Sequence, residues 1–359
     1  MNILLVNSAA PELWGGGEKW FVEAAKWFNE KGHRTEIVAR PDSQLMARAR
    51  QNGVECIASK FGGDFDPMAM LRARETIRAC RSDVVLTNFN KESWQFGVAA
   101  NTLKIPVIAR HGFTLWSKKL HHKLLAKRVL TKLIVNAGSI RDYYETLGIE
   151  PKDICVITNG VMQVEQRHGD LRRRLGISQD VLLLAAGGRL ESQKRFDRLL
   201  FIAATLKQTQ DFKLAIFGTG PHKQALQAQA SKLGVQDSVT FMGFVPEFAN
   251  IIGDADLLLL TSDGEGTPNV VLEAMAAGVP VLGFNVGAME SVLEGELSEF
   301  LIPAGEESAF QHKLSTLLAD REALKKRGDS FKTRALNEFS FDRSMSAYLS
   351  ILQDVLSAK

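Results

Sequence analysis

The 359-residue chain is short of the features that mark several protein classes. Its three cysteines, Cys56, Cys80 and Cys155, are odd in number and far apart. They make no zinc or thiol-redox spacing, which argues against a disulfide-stapled secreted scaffold and suits a reducing compartment. No apolar run approaches the roughly 18 residues of a membrane span. The opening MNILLV is too short and lacks the basic lead of a signal peptide, so it is read as a first strand. There is no G-x-G-x-x-G run and no Walker A lysine motif, and Arg40 stands where a dinucleotide site would want an acid. Tandem repeats and low-complexity segments are absent. One absence is local: from Ser93 to Arg141 there is no Asp or Glu.

That gap sits inside a wider asymmetry. Residues 1–168 carry 24 Lys and Arg against 17 Asp and Glu, whereas residues 169–359 carry 20 against 24. The net charge of +3 therefore averages a basic half and a mildly acidic one. A basic half is the expected side for an anionic partner.

Short apolar runs alternate with helical patterns along the chain. The first half offers strands at Ile3–Asn7, Thr35–Arg40, Asp83–Asn88, Val107–Gly112, Leu133–Ala137 and Cys155–Asn159. The second offers Val181–Gly187, Lys213–Gly218, Val239–Gly243, Leu257–Ser262, Val279–Phe284 and Phe300–Pro303. Runs such as Leu257–Leu260 are apolar on both faces, as parallel strands covered by helices must be. The alternation predicts two α/β units with parallel sheets. A helix is expected over Glu18–Lys31, and another opening with Thr267 as N-cap and Pro268 as first helical residue. The polar stretch Gln163–Asp170 reads as a linker, and the amphipathic segment Phe341–Leu356 as a last helix that returns to the first unit. The expected domains are 1–165 with 341–359, and 166–340.

Three places invite chemistry. Glu265-Gly266-Thr267-Pro268-Asn269 follows a strand and opens a helix, where backbone N–H groups and the dipole favour an anion. Glu265 at the mouth and Glu273 one to two turns deeper can border one pocket, and a carboxylate suits sugar or ribose hydroxyls. Gly187-Gly188-Arg189 follows another strand, with Lys194 and Arg195 behind it; Arg can bind a phosphate bidentately and Lys as a point charge. Trp14-Gly15-Gly16-Gly17-Glu18 lets a ligand approach the backbone closely. Each alone is equally well read as capping, solvated charge or a turn. Asp254-Ala255-Asp256 invites a metal-binding D-x-D reading, but it precedes its strand and so lies at the wrong sheet edge. It is expected to be a turn.

Taken together these residues form a known pattern. The chain resembles the retaining GT-B glycosyltransferases of family GT4, the glycosyl transferases group 1, over nearly its whole length. The resemblance rests on the E-x7-E pair Glu265 and Glu273 within EGTPNVVLEAMAAGVPV, on Gly188-Arg189 with Lys194, and on FGTGP at Phe217–Pro221. Asn159-Gly160, the WGGGE run and His111 join it. It implies an α/β GT-B fold, two Rossmann-like domains with parallel sheets facing across a cleft. It implies a hexosyl-type transferase that takes a UDP-, GDP- or ADP-sugar, retains anomeric configuration and needs no metal or other cofactor. Arg189 and Lys194 would hold the diphosphate and Glu273 the ribose. Glu265 with Gly266, Thr267, Pro268 and Asn269 would meet the donor sugar, and Phe244 would lie by the base. Gly16 and Gly17 would approach the phosphates, and His111 the transferred sugar. Three positions depart from the pattern: Arg195 where many relatives have Gly, Val286-Gly287-Ala288 in place of a Gly-Gly pair, and Met162 where Asp is frequent.

Within the acid-free segment, Lys118, Lys119, Lys123, Lys127 and Arg128 alternate with Leu120, Leu124 and Leu125 behind Trp116. This pattern reads as an anionic acceptor site or a membrane surface, or as a solvated helix face over an ordinary core. No nucleic-acid module is recognisable. The expectation is a cytoplasmic enzyme, peripheral at the inner face of the plasma membrane if this segment binds lipid. Its acceptor would be a glycan or glycolipid, in lipopolysaccharide or surface polysaccharide synthesis. A GT-B-fold nucleotide-sugar epimerase and a non-catalytic nucleotide-sugar binding protein are the alternatives.

Overall fold

The computed structural model describes residues 1–88, 90–112 and 119–358. The chain divides into two compact units: residues 1–158 with 344–359, and residues 159–343.

Unit 1 is built on a parallel sheet of seven strands: β1 (Asn2–Val6), β2 (Arg34–Ala39), β3 (Glu55–Ala58), β4 (Val84–Thr87), β5 (Val107–His111), β6 (Lys132–Val135) and β7 (Ile154–Val156). Their order is β3-β2-β1-β4-β5-β6-β7. The central strands β4 and β5 are buried on both faces, as helices on each side of a parallel sheet require. Six of these strands answer to apolar runs in the sequence. β3 does not, because an edge strand of four residues with exposed ends leaves only Cys56 and Ile57 as an apolar signal. The last helix, Phe341–Ser357, packs on this unit from Ser344 onward: Tyr348 meets the Trp20 ring at 4.9 Å, and the Ser344 hydroxyl donates to the Thr158 carbonyl.

Unit 2 holds a parallel sheet of six: β8 (Leu183–Gly187), β9 (Lys213–Phe217), β10 (Val239–Gly243), β11 (Leu257–Leu260), β12 (Val281–Phe284) and β13 (Leu301–Ile302), ordered β10-β9-β8-β11-β12-β13. Leu257–Leu260 is buried throughout. In each unit the strand order reverses once, between β1 and β4 and between β8 and β11. Such a switch point opens a crevice at the carboxyl ends of the strands.

Gln163–Asp170 is not a free linker. Gln166 donates to the Ala249 carbonyl and accepts from Gly253 N–H, and Arg167 N–H donates to Asn250. Gln163, Glu165, Arg167 and His168 are exposed, which accounts for the polarity, but the stretch is tied down within unit 2, whose boundary lies earlier, at Thr158 and Asn159. Asp254 and Asp256 do more than make a turn. Asp254 accepts from the backbone N–H of Gly169 (2.6 Å) and Leu171 (2.8 Å), capping the helix Asp170–Leu175. Asp256, beside the amino ends of β8 and β11, binds Arg172, Arg321 and Leu183 N–H. Both carboxylates are held in the frame, at the sheet edge opposite the switch-point crevice.

Candidate functional site

In unit 2 the loops that leave β8, β9 and β11 converge at the switch point. The β8 loop leans on the β9 loop through backbone: Gly188 N–H donates to Phe217 O (3.0 Å) and Leu190 N–H to Thr219 O (2.9 Å). That is the physical content of Gly188 and of the FGTGP run. A Cβ on Gly218, at φ +126°, would fall 1.9 Å from the Gly188 carbonyl oxygen.

Lys194 from the β8 loop reaches Glu265 from the β11 loop. Its Nζ lies 2.6 and 2.7 Å from the two carboxylate oxygens, and the Ser262 hydroxyl donates to Oε1 at 2.6 Å. The Glu265 side chain is 6% exposed, the Lys194 side chain 22%. The β12 loop closes the far side, where Ala288 N–H donates to Gly266 O (3.0 Å) and Gly287 sits at φ +63°. The glutamate and lysine proposed from the motif are thus brought together, and Ser262, which no motif marks, orients the glutamate.

Other predicted residues are placed differently. Arg189 turns to Glu191 (2.9 Å), with more than half of its side chain exposed, so an incoming anion competes with that carboxylate. Arg195 does not add a cation to the crevice. Its backbone is left-handed (φ 50°, ψ 42°), which explains why glycine suits this position, and its guanidinium is bound by Asp197 and Asp263. Thr267 is not the helix cap. Pro268 stands before the helix Asn269–Ala276 with extended backbone, while Asn159 N–H donates to the Thr267 hydroxyl and the Asn159 amide to Asn269 Oδ1 (2.8 Å). Gly266, Thr267 and Pro268 are buried, and Asn269 and Glu273, one turn in, are partly exposed. Phe244 stands half-exposed just past β10, with Gly243 at φ +69°.

Unit 1 gathers polar groups at its own switch point. The helix expected from Glu18 begins at Gly16 and runs to Glu30, so Gly16 and Gly17 form its first turn, and the Glu18 carboxylate accepts from Gly15 N–H. Beyond β1 the Ser8 hydroxyl donates to Glu92 (2.6 Å), a fully buried carboxylate. Arg110 on β5 donates to Asn88 and lies 4.5 Å over the Trp20 ring. Sequence reading missed this cluster, since its members are single residues with no spacing in common.

His111 ends β5 and is 8% exposed. Burial, with the positive charges of His122 and Arg110 adding to it, pushes its pKa down to about 3. The imidazole is therefore neutral at physiological pH and is not a strong base. The unfolded histidine gains its proton near pH 6.5, the folded one only near 3, so folding loses stability as pH falls through that window. We expect a slope of up to about 1.4 kcal/mol per pH unit from this group. Urea melts between pH 7 and 5 should show that slope flattening in His111→Gln, and an identical pH dependence in both proteins would refute it.

In the acid-free segment, Lys118 and Trp116 lie outside the described residues. The helix Lys119–Arg128 turns His122 and Leu125 inward. Lys123, Lys127 and Arg128 face out together with Leu120 (71% exposed) and Leu124 (45%). Of the three leucines only Leu125 belongs to the core. Among the described residues no helix is long and apolar enough to cross a membrane, and no group of three or more His, Cys, Asp or Glu is placed to hold a metal ion.

The family model for Glycosyltransferase Family 4 matches residues 14–162, and that for glycosyl transferases group 1 matches residues 168–334. N-acetyl-alpha-D-glucosaminyl L-malate synthase of Bacillus anthracis is 28% identical over 208 residues, which cover 57% of this chain and 55% of the relative. D-inositol 3-phosphate glycosyltransferase of Segniliparus rotundus is 28% identical over 232 residues, covering 62% and 51%. The chain thus spans about half the length of the curated relatives it matches. The crystal structure of Anabaena HepE in complex with UDP superposes with a TM-score of 0.86 at 19% identity, covering 99% of this chain and 100% of that one. The likeness in fold is GT-B.

Proposed function

We propose that the chain, whose two halves match the models for GT4-type and group 1 glycosyltransferases and whose fold is GT-B, moves a hexosyl group from a nucleoside diphosphate sugar to an anionic glycan or glycolipid acceptor, with retention of anomeric configuration. The observation that carries this reading is the Lys194–Glu265 pair, held by Ser262 at the switch point of unit 2. Departure of a nucleoside diphosphate builds negative charge on the phosphate, while the sugar becomes oxocarbenium-like. A fixed ammonium, backbone N–H groups of a glycine loop and a helix N-terminus are preorganised for the first change. Carboxylates answer hydroxyls, Glu265 those of the sugar and Glu273 those of the ribose. Phe244, exposed past β10, offers a ring for the base. HepE, whose structure holds UDP, supports a uridine nucleotide as the first donor to try.

In this reading the departing phosphate oxygen takes the acceptor proton, so no separate base is required. The lowered basicity of the buried His111 ring supports that economy. Transfer is expected to proceed in EDTA, with the early product keeping the donor's anomeric configuration by NMR. An inverted product, or activity lost in EDTA and regained with Mn2+, would overturn it. Turnover of donor without acceptor would favour an epimerase instead.

Unit 1 takes the acceptor in this proposal, and one observation favours an anionic bilayer as its setting. The helix Lys119–Arg128 exposes Leu120 and Leu124 among Lys123, Lys127 and Arg128, so that apolar and basic groups are offered to a bilayer surface together. The relatives named above are designated for L-malate and inositol 3-phosphate, soluble anions that support an anionic acceptor rather than the bilayer. A place in lipopolysaccharide or surface polysaccharide synthesis, on the inner face of the plasma membrane, follows as the proposed setting. The protein should sediment with phosphatidylglycerol-containing vesicles and not with pure phosphatidylcholine, and L120E/L124E should remain in the supernatant. Failure to sediment with either vesicle would remove the membrane from the proposal.

A further inference from the structure

His111 is not held by the strand alone. The Tyr144 hydroxyl, from the helix Gly138–Thr146, lies 2.6 Å from its Nδ1. Tyr144 is 2% exposed. The His122 ring stacks against Tyr144 (6.1 Å between centroids, 25° between planes) and meets His111 edge-on at 6.0 Å and 85°. Two rings, Tyr144 and His122, thus flank the imidazole. The other ring nitrogen, Nε2, is buried and has no hydrogen-bond partner among the described residues.

Which atom donates across the 2.6 Å contact decides what Nε2 can do. A buried phenol has one proton to place, and Nδ1 is the acceptor in front of it. That arrangement leaves only Nε2–H unpaired, whereas Nδ1–H donating to the phenol oxygen would leave both the phenol proton and the buried Nε2 lone pair without that partner, which is the costlier arrangement. Tyr144 therefore donates, Nδ1 accepts, and the ring proton belongs to Nε2. We propose that Tyr144 is a positioning residue that locks His111 in the neutral Nε2–H form, so that His111 offers a hydrogen-bond donor, and not a base, to a substrate oxygen.

Burial and the nearby charges of Arg110 and His122 act in the same direction, since they oppose a second proton on the ring. A fixed donor needs no reorganisation when substrate arrives, whereas an imidazole free to exchange tautomers presents a lone pair part of the time. The identity of the oxygen, a sugar hydroxyl, rests on the transferase reading above. The tautomer does not.

The test uses the full chain with 15N-labelled histidine. The His111 signals are those lost in His111→Gln. Nδ1 should show the shift of an unprotonated, hydrogen-bonded nitrogen and Nε2 that of N–H, and Tyr144→Phe should give a mixture of the two forms. With sugar transfer as the second readout, Tyr144→Phe should lower kcat about tenfold with the donor KM unchanged. His111→Gln, whose amide N–H reaches the place of Nε2–H, should retain more activity than His111→Asn. A wild-type His111 protonated on Nδ1 overturns the proposal, even if Tyr144→Phe fails to fold. So does a Tyr144→Phe protein with unaltered tautomer and unaltered kcat. If no nucleotide sugar is turned over at all, the transferase reading falls, and the nitrogen shifts still decide the lock.

Discussion

Lys194→Ala is expected to lower sugar transfer by about two to three orders of magnitude, the usual effect of removing one preorganised group that faces developing charge. It should also weaken unit 2, because the same substitution strands a carboxylate. Glu265 is 6% exposed, and without Lys194 it keeps only the Ser262 hydroxyl of the partners described above. Fully buried pairs lose about 3–5 kcal/mol when one partner goes; since Lys194 keeps some contact with solvent, about 2 kcal/mol is the expected loss. The two effects separate in a double variant. Lys194→Met with Glu265→Gln leaves no lone charge and should regain most of the stability while remaining inactive. Chemical denaturation and initial rates measured on the same preparations would check this, and Lys194→Ala turning over at the wild-type rate would move the site elsewhere.

Gly287→Ala should be among the most damaging single methyls in unit 2, together with Gly218→Ala. A Cβ there would lie 2.1 Å from the Glu265 carbonyl oxygen and 2.6 Å from its carbonyl carbon, and φ is +63°. Neither neighbour is a side chain that can swing away, so the loop carrying Glu265 must move. Backbone strain and overpacking together are worth about 3–5 kcal/mol. Gly305→Ala separates the two contributions: φ is +86° there and nothing lies within 4 Å of the added carbon. That variant should lose about 1 kcal/mol, the strain alone. If thermal unfolding shows equal losses for both, the close approach of the β12 loop to Glu265 is not what the glycine is for.

The α/β order was legible because a parallel strand buried on both faces has nowhere to put a polar side chain; Leu257–Leu260 and Val107–His111 are conspicuous for that reason. An edge strand has no such constraint, and Glu55–Ala58 passed unnoticed. The Gln163–Asp170 stretch misled in the opposite sense. Its polarity is mostly solvent exposure, yet the one side chain of Gln166 ties it to backbone groups 83 and 87 positions along the chain.

In the crevice, Lys194 and Glu265 could be read because each stands in a loop directly after an apolar run, and topology brings such loops together. What could not be read is which hydroxyl or amide holds them. Ser262 looks like the end of a strand, Asn159 like part of a turn, and Tyr144 like one aromatic on a helix face, until the fold sets each beside its partner. Arg195 is the reverse case. Its side chain promised a phosphate ligand, while its left-handed backbone and its two aspartates show what the position is built for.

The division of the chain has a consequence for its synthesis. Unit 2 is one continuous stretch, but unit 1 includes residues 344–359, and Met345, Tyr348 and Leu352 are core residues there. A ribosome moving from the amino end emits most of unit 1 first and its closing helix last. Unit 2 can finish folding as soon as it emerges, whereas unit 1 must wait with the Trp20 ring lacking its Tyr348 cover while nearly two hundred residues are translated. The half that begins first is completed second.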